Sequence, residues 1–479
     1  MLYRSFGRNI IAGLLGLSVA AGFTNANPAK AADLGGDCCA DLEERVAELE
    51  ATTVRKGNKK VSVTLSGWVI KSANWWDDGS EQNLYVGDKG FPIASHLTIS
   101  GSAQIGPGWT SGYNITVEAP GGVFSFATHQ FQDDEGVVTG ISGVDTLLSY
   151  MWLKSDKWGT LNWGLLNPAT DNVALLPDLS GTVLESNALF QEGAGFFLRP
   201  KGVAKNAGGL LSLNWGNFLW CEGLNAGIGA DCGVPLNGIR YDSPTFAGFS
   251  VSGGFSEDDV WDVAVKYAAD WGNFKTSAAY GFTHITDERW TSGAGGLFGI
   301  KEDTKLSQVG ASIMHMPTGL FVYGMYMNEE ADPTPPNAAI VNVRSAKNDD
   351  NAWFGKVGIK RTWNPLGATV FWGEGGQYND QFGDLKGIEL CGAGLLTTFG
   401  GELAPACRNS TGTAYVKDSQ INRWGLGVVQ EIDAAAMHLW LRWQHQELDA
   451  TFVTETGKLT PQQGFEDWDL VQAGGIIFF

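Results

Sequence analysis

From Val61 onward the chain alternates apolar and polar side chains, and this period of two restricts the fold more than any other feature. The first stretch, VSVTLSGWV, sets Val61, Val63, Leu65, Gly67 and Val69 against Ser62, Thr64 and Ser66. That spacing belongs to β-strands with two unlike faces. Further on, NRWGLGVVQ opposes Trp424, Leu426 and Val428 to Arg423, Gly425 and Gly427. MHLWLRWQ opposes Met437, Leu439, Leu441 and Trp443 to His438, Trp440, Arg442 and Gln444. Arginines on one face of an otherwise apolar strand must meet water. When the apolar face meets lipid, the polar face lines a wet interior. A soluble sandwich, whose inner faces are both apolar, is the competing arrangement.

The punctuation decides between them. Tight connections recur at 105–112, 154–160, 242–248, 268–273, 316–319, 363–367 and 430–436, most of them carrying a Trp or Phe. Long polar connections lie around 77–91, 120–144, 168–208, 284–305, 329–350, 378–418 and 447–465, with a shorter one at 256–259. Seven tight hairpins supply fourteen strands, and the first and last segments add two. The expected fold is all-β: a 16-stranded antiparallel transmembrane β-barrel with short periplasmic turns and long external loops, at about 10 residues per strand. An even count puts both ends of the barrel on the periplasmic side.

Composition agrees by exclusion. Beyond the N-terminal segment no apolar run reaches the ~18 residues of a membrane helix. The net charge of −20 argues against a nucleic-acid partner, which needs a basic face. The 19 Trp, 25 Phe and 11 Tyr are too many anchoring rings for a disordered chain. A mean hydropathy of −0.08 suits a barrel, where only alternate wall residues meet lipid.

Arg4 and Arg8 precede an apolar stretch from Ile10 to Ala21, and Ala29-Lys30-Ala31 offers small residues at −3 and −1 of a cleavage site. Residues 1–31 thus read as a signal peptide, with a retained anchor helix as the alternative, and the mature chain as exported. Asp37 before Cys38 breaks a lipidation motif. In an oxidising compartment Cys221 with Cys232, and Cys391 with Cys407, are local disulfide candidates, although six cysteines allow 15 pairings. Cys38-Cys39 either stays reduced or cross-links subunits. No CxxC occurs and the six His are scattered, so no metal site is expected. Residues 32–60 form a short helical segment and a hinge. Leu42, Val46, Leu49 and Thr53 follow a heptad track, either as a frayed helix or as a small coiled coil. The C-terminal QAGGIIFF offers Gln472, Gly474, Ile477 and Phe479 as a barrel-assembly signal.

The segments ADLGGDCCADLEERVAELEATT, KKVSVTLSGWV with WWDDG, TDNVALLPDLSGT and QEIDAAAM resemble the porin family of alphaproteobacteria over nearly the whole mature chain. The resemblance implies an outer-membrane general diffusion porin, a homotrimer passing small hydrophilic solutes and ions, with its third external loop folded into the lumen. That loop corresponds to about 167–205. Its partners would be its own copies, outer-membrane lipid with lipopolysaccharide, and the barrel assembly machinery; no cofactor is implied.

Loop position makes Asp171, Asp178, Glu185, Glu192, Arg199 and Lys201 candidates for the constriction. Strand parity puts Lys266, Lys275, Lys356, Lys360, Arg423 and Arg442 on the lumen wall. Loop carboxylates facing wall cations would set a transverse field across the passage, with Arg423 and Arg442 on its basic side. The acidic clusters Asp77-Asp78, Asp133-Asp134-Glu135, Glu257-Asp258-Asp259 and Asp349-Asp350 are expected in external loops, tilting the channel toward cations. No GxSxG elbow occurs, so no enzyme is expected. The alternative function is a substrate-specific channel for a sugar or amino acid, with Trp68 and Trp440 as an aromatic slide.

Overall fold

The computed structural model describes residues 61–89, 94–119, 130, 144–186, 193–202, 211–219, 235–257, 259–290, 300–334, 348–382, 390–391, 394–398, 403–408, 414–454 and 463–479. The expected signal peptide (1–31) and helical segment (32–60), Glu192, Cys221, Cys232, Asp258 and the cluster at 133–135 lie outside the described residues.

The alternating segments become β1 (Thr64–Asp77), β2 (Gln82–Gly87), β3 (Ser95–Gly106), β4 (Trp109–Ala119), β5 (Asp145–Ser155), β6 (Gly159–Leu166), β7 (Leu236–Asp242), β8 (Phe249–Ser256) and β9 (Val260–Trp271). They continue as β10 (Phe274–Trp290), β11 (Ile300–His315), β12 (Leu320–Thr334), β13 (Asn348–Asn364), β14 (Gly367–Asn379), β15 (Ala414–Ile432), β16 (Met437–Thr454), β17 (Gln463–Gly464) and β18 (Trp468–Phe478). All pair antiparallel in one sheet, and β18 returns to β1 from Trp68↔Phe478 to Asp77↔Asp469. The sheet is closed, so it has no free edge. Because β2 with β3, and β17 with β18, are each two pieces of one wall strand, the cylinder has 16 strands.

All seven tight turns fall where the alternation breaks. At Gly319 the backbone adopts φ +74 and Lys360 O sits where a side chain would begin, so only glycine fits that turn.

Parity holds around the wall. Val69, Ile239, Phe255, Val322, Val357, Leu426 and Leu441 are exposed on the outside, where lipid covers them. Ser72, Asn74, Asn162, Gln308, Arg423, Gln444 and Gln472 are buried on the inside.

Three expectations are corrected. The connection at 77–91 is not a long loop: Asp78–Glu81 is a tight turn between β1 and β2. Between β2 and β3 the described Asp88, Lys89 and Ala94 are buried, a tuck in the wall. There five residues of β1 (Ser72 to Trp68) oppose ten of the neighbour (Gly87 to His96), a surplus of five. Second, strands run well past ten residues: β10 and β13 have 17, β16 has 18 and β15 has 19. Parts of 284–305 and 329–350 are therefore paired strand above the membrane wall. Third, Asp349-Asp350 stands on β13, with Asp350 buried, and Asp78 is buried too.

A hydrophobic core sits inside the long-loop end of the cylinder. Leu198, Leu213 and Phe218 of the β6–β7 connection meet Leu390, Leu396 and Cys407 of the β14–β15 connection in one cluster with Phe452, Phe465 and Trp468. Each large apolar side chain buried this way contributes roughly 1.5–3 kcal/mol, an upper range for groups already partly covered. Cys391 and Cys407 are joined in a disulfide that staples the second of these connections.

Candidate functional site

The β6–β7 connection is rich in Pro, Gly and Asx residues, and its described stretch 167–186 folds as a chain of turns inside the barrel. Asp171 N–H donates to Pro168 O, Val173 N–H to Thr170 O, and Leu176 N–H to Asn172 O. Asn172 takes a left-handed conformation at φ 59. The Asp178 carboxylate caps the next turn by accepting Ser180 N–H at 2.9 Å.

From these turns the loop travels along the inner wall. Asn167 O accepts from Arg240 Nη1 on β7 at 2.7 Å. Thr170 donates its N–H and hydroxyl to Asp262 on β9, at 2.7 and 3.0 Å, and shares a 2.7 Å bond with Thr283 on β10. Ala174 O accepts from Tyr323 on β12 at 2.6 Å and lies over Gly310 of β11, where a Cβ would collide with it. Leu179 N–H meets Ser312 at 3.2 Å. Lys356 on β13 donates to Asp178 at 2.6 Å and to Thr182 at 2.7 Å. Near the tight-turn end, Glu185 reaches His438 on β16 at 2.7 Å and Ser186 donates to Glu374 on β14 at 2.7 Å.

The loop then returns to the long-loop end. Gly193 packs against Trp468, where a Cβ would lie 2.6 Å from the ring. Arg199 meets Asp78 at 2.8 Å and Glu81 at 2.5 Å. Lys201 N–H donates to Gly464 O at 2.8 Å, and its ammonium lies 3.5 Å from Asp467 at the exposed rim.

These contacts give the predicted residues specific places. Asp178 with Lys356 is a fully buried ion pair, and Lys356 also lies 5.8 Å from the rings of Tyr323 and Trp372. Glu185 and Arg199 are buried against His438 and against Asp78. Lys360 points inward, 2.6 Å from Glu431. Loop carboxylates and wall cations thus meet directly, as tethers, instead of facing each other across a gap.

Arg423 and Arg442 project inward from adjacent strands, yet each is only 2% exposed. Arg423 Nη2 donates to Gln444 at 3.0 Å and stands 3.7 Å from Glu374. Arg442 donates to Gln472 at 3.0 Å and Gln444 at 3.2 Å, and Gln472 continues to Asn74 at 2.6 Å. Lys89, carried inward by the tuck, interacts electrostatically with this group and with Glu185. Trp68 and Trp440 also point inward and are buried, donating to Ala94 O and to Gln472, so neither offers a ring to a passing solute. Gln472 and Gly474 pack inside the seam, while Ile477 and Phe479 are exposed outside.

The opposite side of the lumen keeps charges in contact with solvent. Arg240 and Asp242 on β7 pair at 3.2 Å with side chains 23% and 30% exposed, and Asn162 braces Asp242 at 2.8 Å. Lys266 on β9 joins them electrostatically, as does Asp171 of the loop. Burial pushes the Asp171 carboxyl up to about 7, with Arg240, the Asn172 hydrogen bond and Lys266 pulling it back. Arg240 and Asp242 escaped the sequence reading, although their alternation with Ile239 and Tyr241 in LNGIRYD carries the same parity signal.

A closed cylinder of 16 strands, apolar outside, charged inside and narrowed by its own loop, defines an outer-membrane channel. The chain belongs to the Gram-negative porin family, whose sequence pattern it matches over residues 15–437. Its place is the outer membrane and its lumen serves passive diffusion. Among solved structures it is similar to an anion-selective porin from Comamonas acidovorans, at 16% identity and TM-score 0.50 over 88% of this chain and 100% of that one. It is also similar to OprB of Pseudomonas putida, at 8% identity and TM-score 0.52 over 92% and 97%. Likeness at such identities concerns the fold. No curated protein matches the chain.

Proposed function

We propose that the chain is a homotrimeric general diffusion porin of alphaproteobacterial type, with no catalytic chemistry, whose solutes pass on the β5–β9 side of the lumen. The observation that carries this reading is the asymmetry of the interior. On the β13–β18 side the loop, Arg423, Arg442 and Lys89 fill the cylinder, whereas Arg240, Asp242 and Lys266 keep contact with solvent. Ions and small polar solutes then follow a lane lined by both signs of charge, with Asp171 at its edge. Apolar solutes are disfavoured there because ordered water must be stripped from charged walls.

Trimer formation is supported by an ion pair on the outer wall. Lys71, in the middle of β1, points outward and pairs with the buried Asp88 of the tuck. Facing hydrocarbon such a group is costly, and a neighbouring subunit covers it with polar partners. Elsewhere the wall meets lipid and, at the outer rim, lipopolysaccharide. Residues 1–31 act as the export signal, and Gln472, Gly474, Ile477 and Phe479 present the last strand to the barrel assembly machinery.

Single-channel recording of the purified protein across a salt gradient tests the reading. Large ohmic steps closing in threes are expected, with a modest ion preference. Saturable conductance blocked by a single sugar or amino acid would replace this function with that of a specific channel.

A further inference from the structure

We propose that His445, Glu447 and Asp467 bind a divalent metal ion of the zinc class on the outer wall of the barrel, near its long-loop end. His445 and Glu447 stand two residues apart on the outward face of β16, and Asp467 immediately precedes β18. The register His445↔Asp469 and Gln446↔Trp468, continued one step, brings Asp467 opposite Glu447. One nitrogen and one oxygen from each carboxylate all lie within 4.8 Å of one another.

The second observation is the setting of the imidazole. His445 Nδ1 lies 2.9 Å from Asp469 Oδ1, and an ionised carboxylate can only accept, so the proton sits on Nδ1. The Nε2 lone pair is then free, and Nε2 stands 3.7 Å from Glu447 Oε1. Two ligands at zinc-type distances of about 2.1 Å in a tetrahedron are separated by about 3.4 Å, so only a small closure is needed. A carboxylate holding the far nitrogen of a ligating histidine is the arrangement that fixes tautomer and ring orientation in metal sites. Here the carboxylate is itself held, since Trp443 Nε1 donates to the same Asp469 oxygen at 2.9 Å. Trp424 packs on the imidazole with centroids 4.7 Å apart, which restricts the ring further.

Ligand chemistry selects the ion. An imidazole with two carboxylates favours Zn2+, Ni2+ or Cu2+ over Ca2+ and Mg2+, which prefer oxygen alone. Three protein ligands leave a fourth position open to water or to an external donor. Asp77, opposite Asp469 in the register, adds negative charge nearby. Lys201 opposes binding from 3.5 Å beyond Asp467, but its ammonium is more than half exposed and swings into solvent at little cost. The residues have outward parity, so the site is separate from the permeation lane.

Isothermal titration of the full-length protein in detergent with ZnCl2 tests the proposal. The expected result is one Zn2+ per chain at this site, lost in His445→Ala, weakened 10- to 100-fold in Asp469→Asn, and not displaced by equal Ca2+. Zinc-edge X-ray absorption of the wild type should show one imidazole among oxygen ligands, a readout that does not depend on any variant folding. Absence of binding, an unchanged isotherm in a folded His445→Ala, displacement by Ca2+, or a shell without imidazole would each overturn it.

Discussion

Replacing Lys356 by methionine removes the cation on which the lumen loop is latched. Lys356 and Asp178 are both fully buried and 2.6 Å apart, and the same ammonium holds Thr182 at 2.7 Å. Methionine keeps the length and apolar contacts of the stem but leaves the Asp178 carboxylate facing a site without its cation. Breaking a buried pair from one side costs roughly 3–5 kcal/mol. The rest of the stretch 170–186 is held by Thr170 on Asp262, Tyr323 on Ala174, Leu179 on Ser312, Ser186 on Glu374 and Glu185 on His438. At roughly 0.5–1.5 kcal/mol net per bond, and more for charged ones, those tethers together are of the same order as the loss. The docked loop should therefore lose about two to nearly four decades of its equilibrium advantage, at about 1.4 kcal/mol per decade. Planar-bilayer recordings should show quiet steps for the wild type and larger, flickering conductance for Lys356→Met. Lys356→Met with Asp178→Asn removes both charges and should return most of the quiet behaviour, giving a coupling energy of about 2 kcal/mol or more. Identical traces and melting temperatures for Lys356→Met and wild type, or a double variant no better than the single, would refute the latch.

Other outcomes follow from the same structure. Arg240→Gln should shift the zero-current potential in a salt gradient toward cations with little loss of thermal stability, because Arg240 still meets solvent. Arg423→Gln should leave that potential nearly unmoved and lower stability by roughly 3–5 kcal/mol, as Glu374 loses its buried cation. Reducing the Cys391–Cys407 bond, which closes a 16-residue span, should cost about 2–4 kcal/mol locally; dithiothreitol should lower the melting temperature of the wild type more than that of a Cys391→Ala, Cys407→Ala variant. The Asp171 carboxyl has a raised folded-state pKa, so its contribution is fully present below the ordinary carboxylate value of about 3.9 and is lost as pH rises through about 7. Above that pH it adds a negative charge beside Arg240. Cation preference should rise between pH 6 and 8 in the wild type, while Asp171→Asn should give a flat profile.

The alternation in the sequence reaches the structure almost residue for residue along β15 and β16, because lipid on one side and water on the other leave each side chain one choice. The tight turns were legible for a related reason: each interrupts the period within a few residues. The tuck between β2 and β3 was not legible. Its surplus of five residues is odd, so inward positions change from odd numbers in β2 to even numbers in β3, and a polar run looks the same whether it loops outward or folds inside. Parity correctly turned Arg423 and Arg442 inward but carried no information on depth, and depth separates a buried strut from a lane-lining charge. Partners distant in sequence, such as Asp178 with Lys356 or Glu185 with His438, depend on register and loop path, which period alone does not encode.

The return of the loop has a mechanical consequence. Arg199 grips Asp78 and Glu81 at the first hairpin, while Pro200 and Lys201 bridge to Phe465 and Gly464 just ahead of β18. A segment from the middle of the chain is thereby fastened across the joint where the two ends of the sheet meet. Pulling the first and last strands apart strains the fastening, and withdrawing the loop loosens the joint. The width of the passage and the integrity of the cylinder are consequently one cooperative property, and stress applied to either should be felt by both.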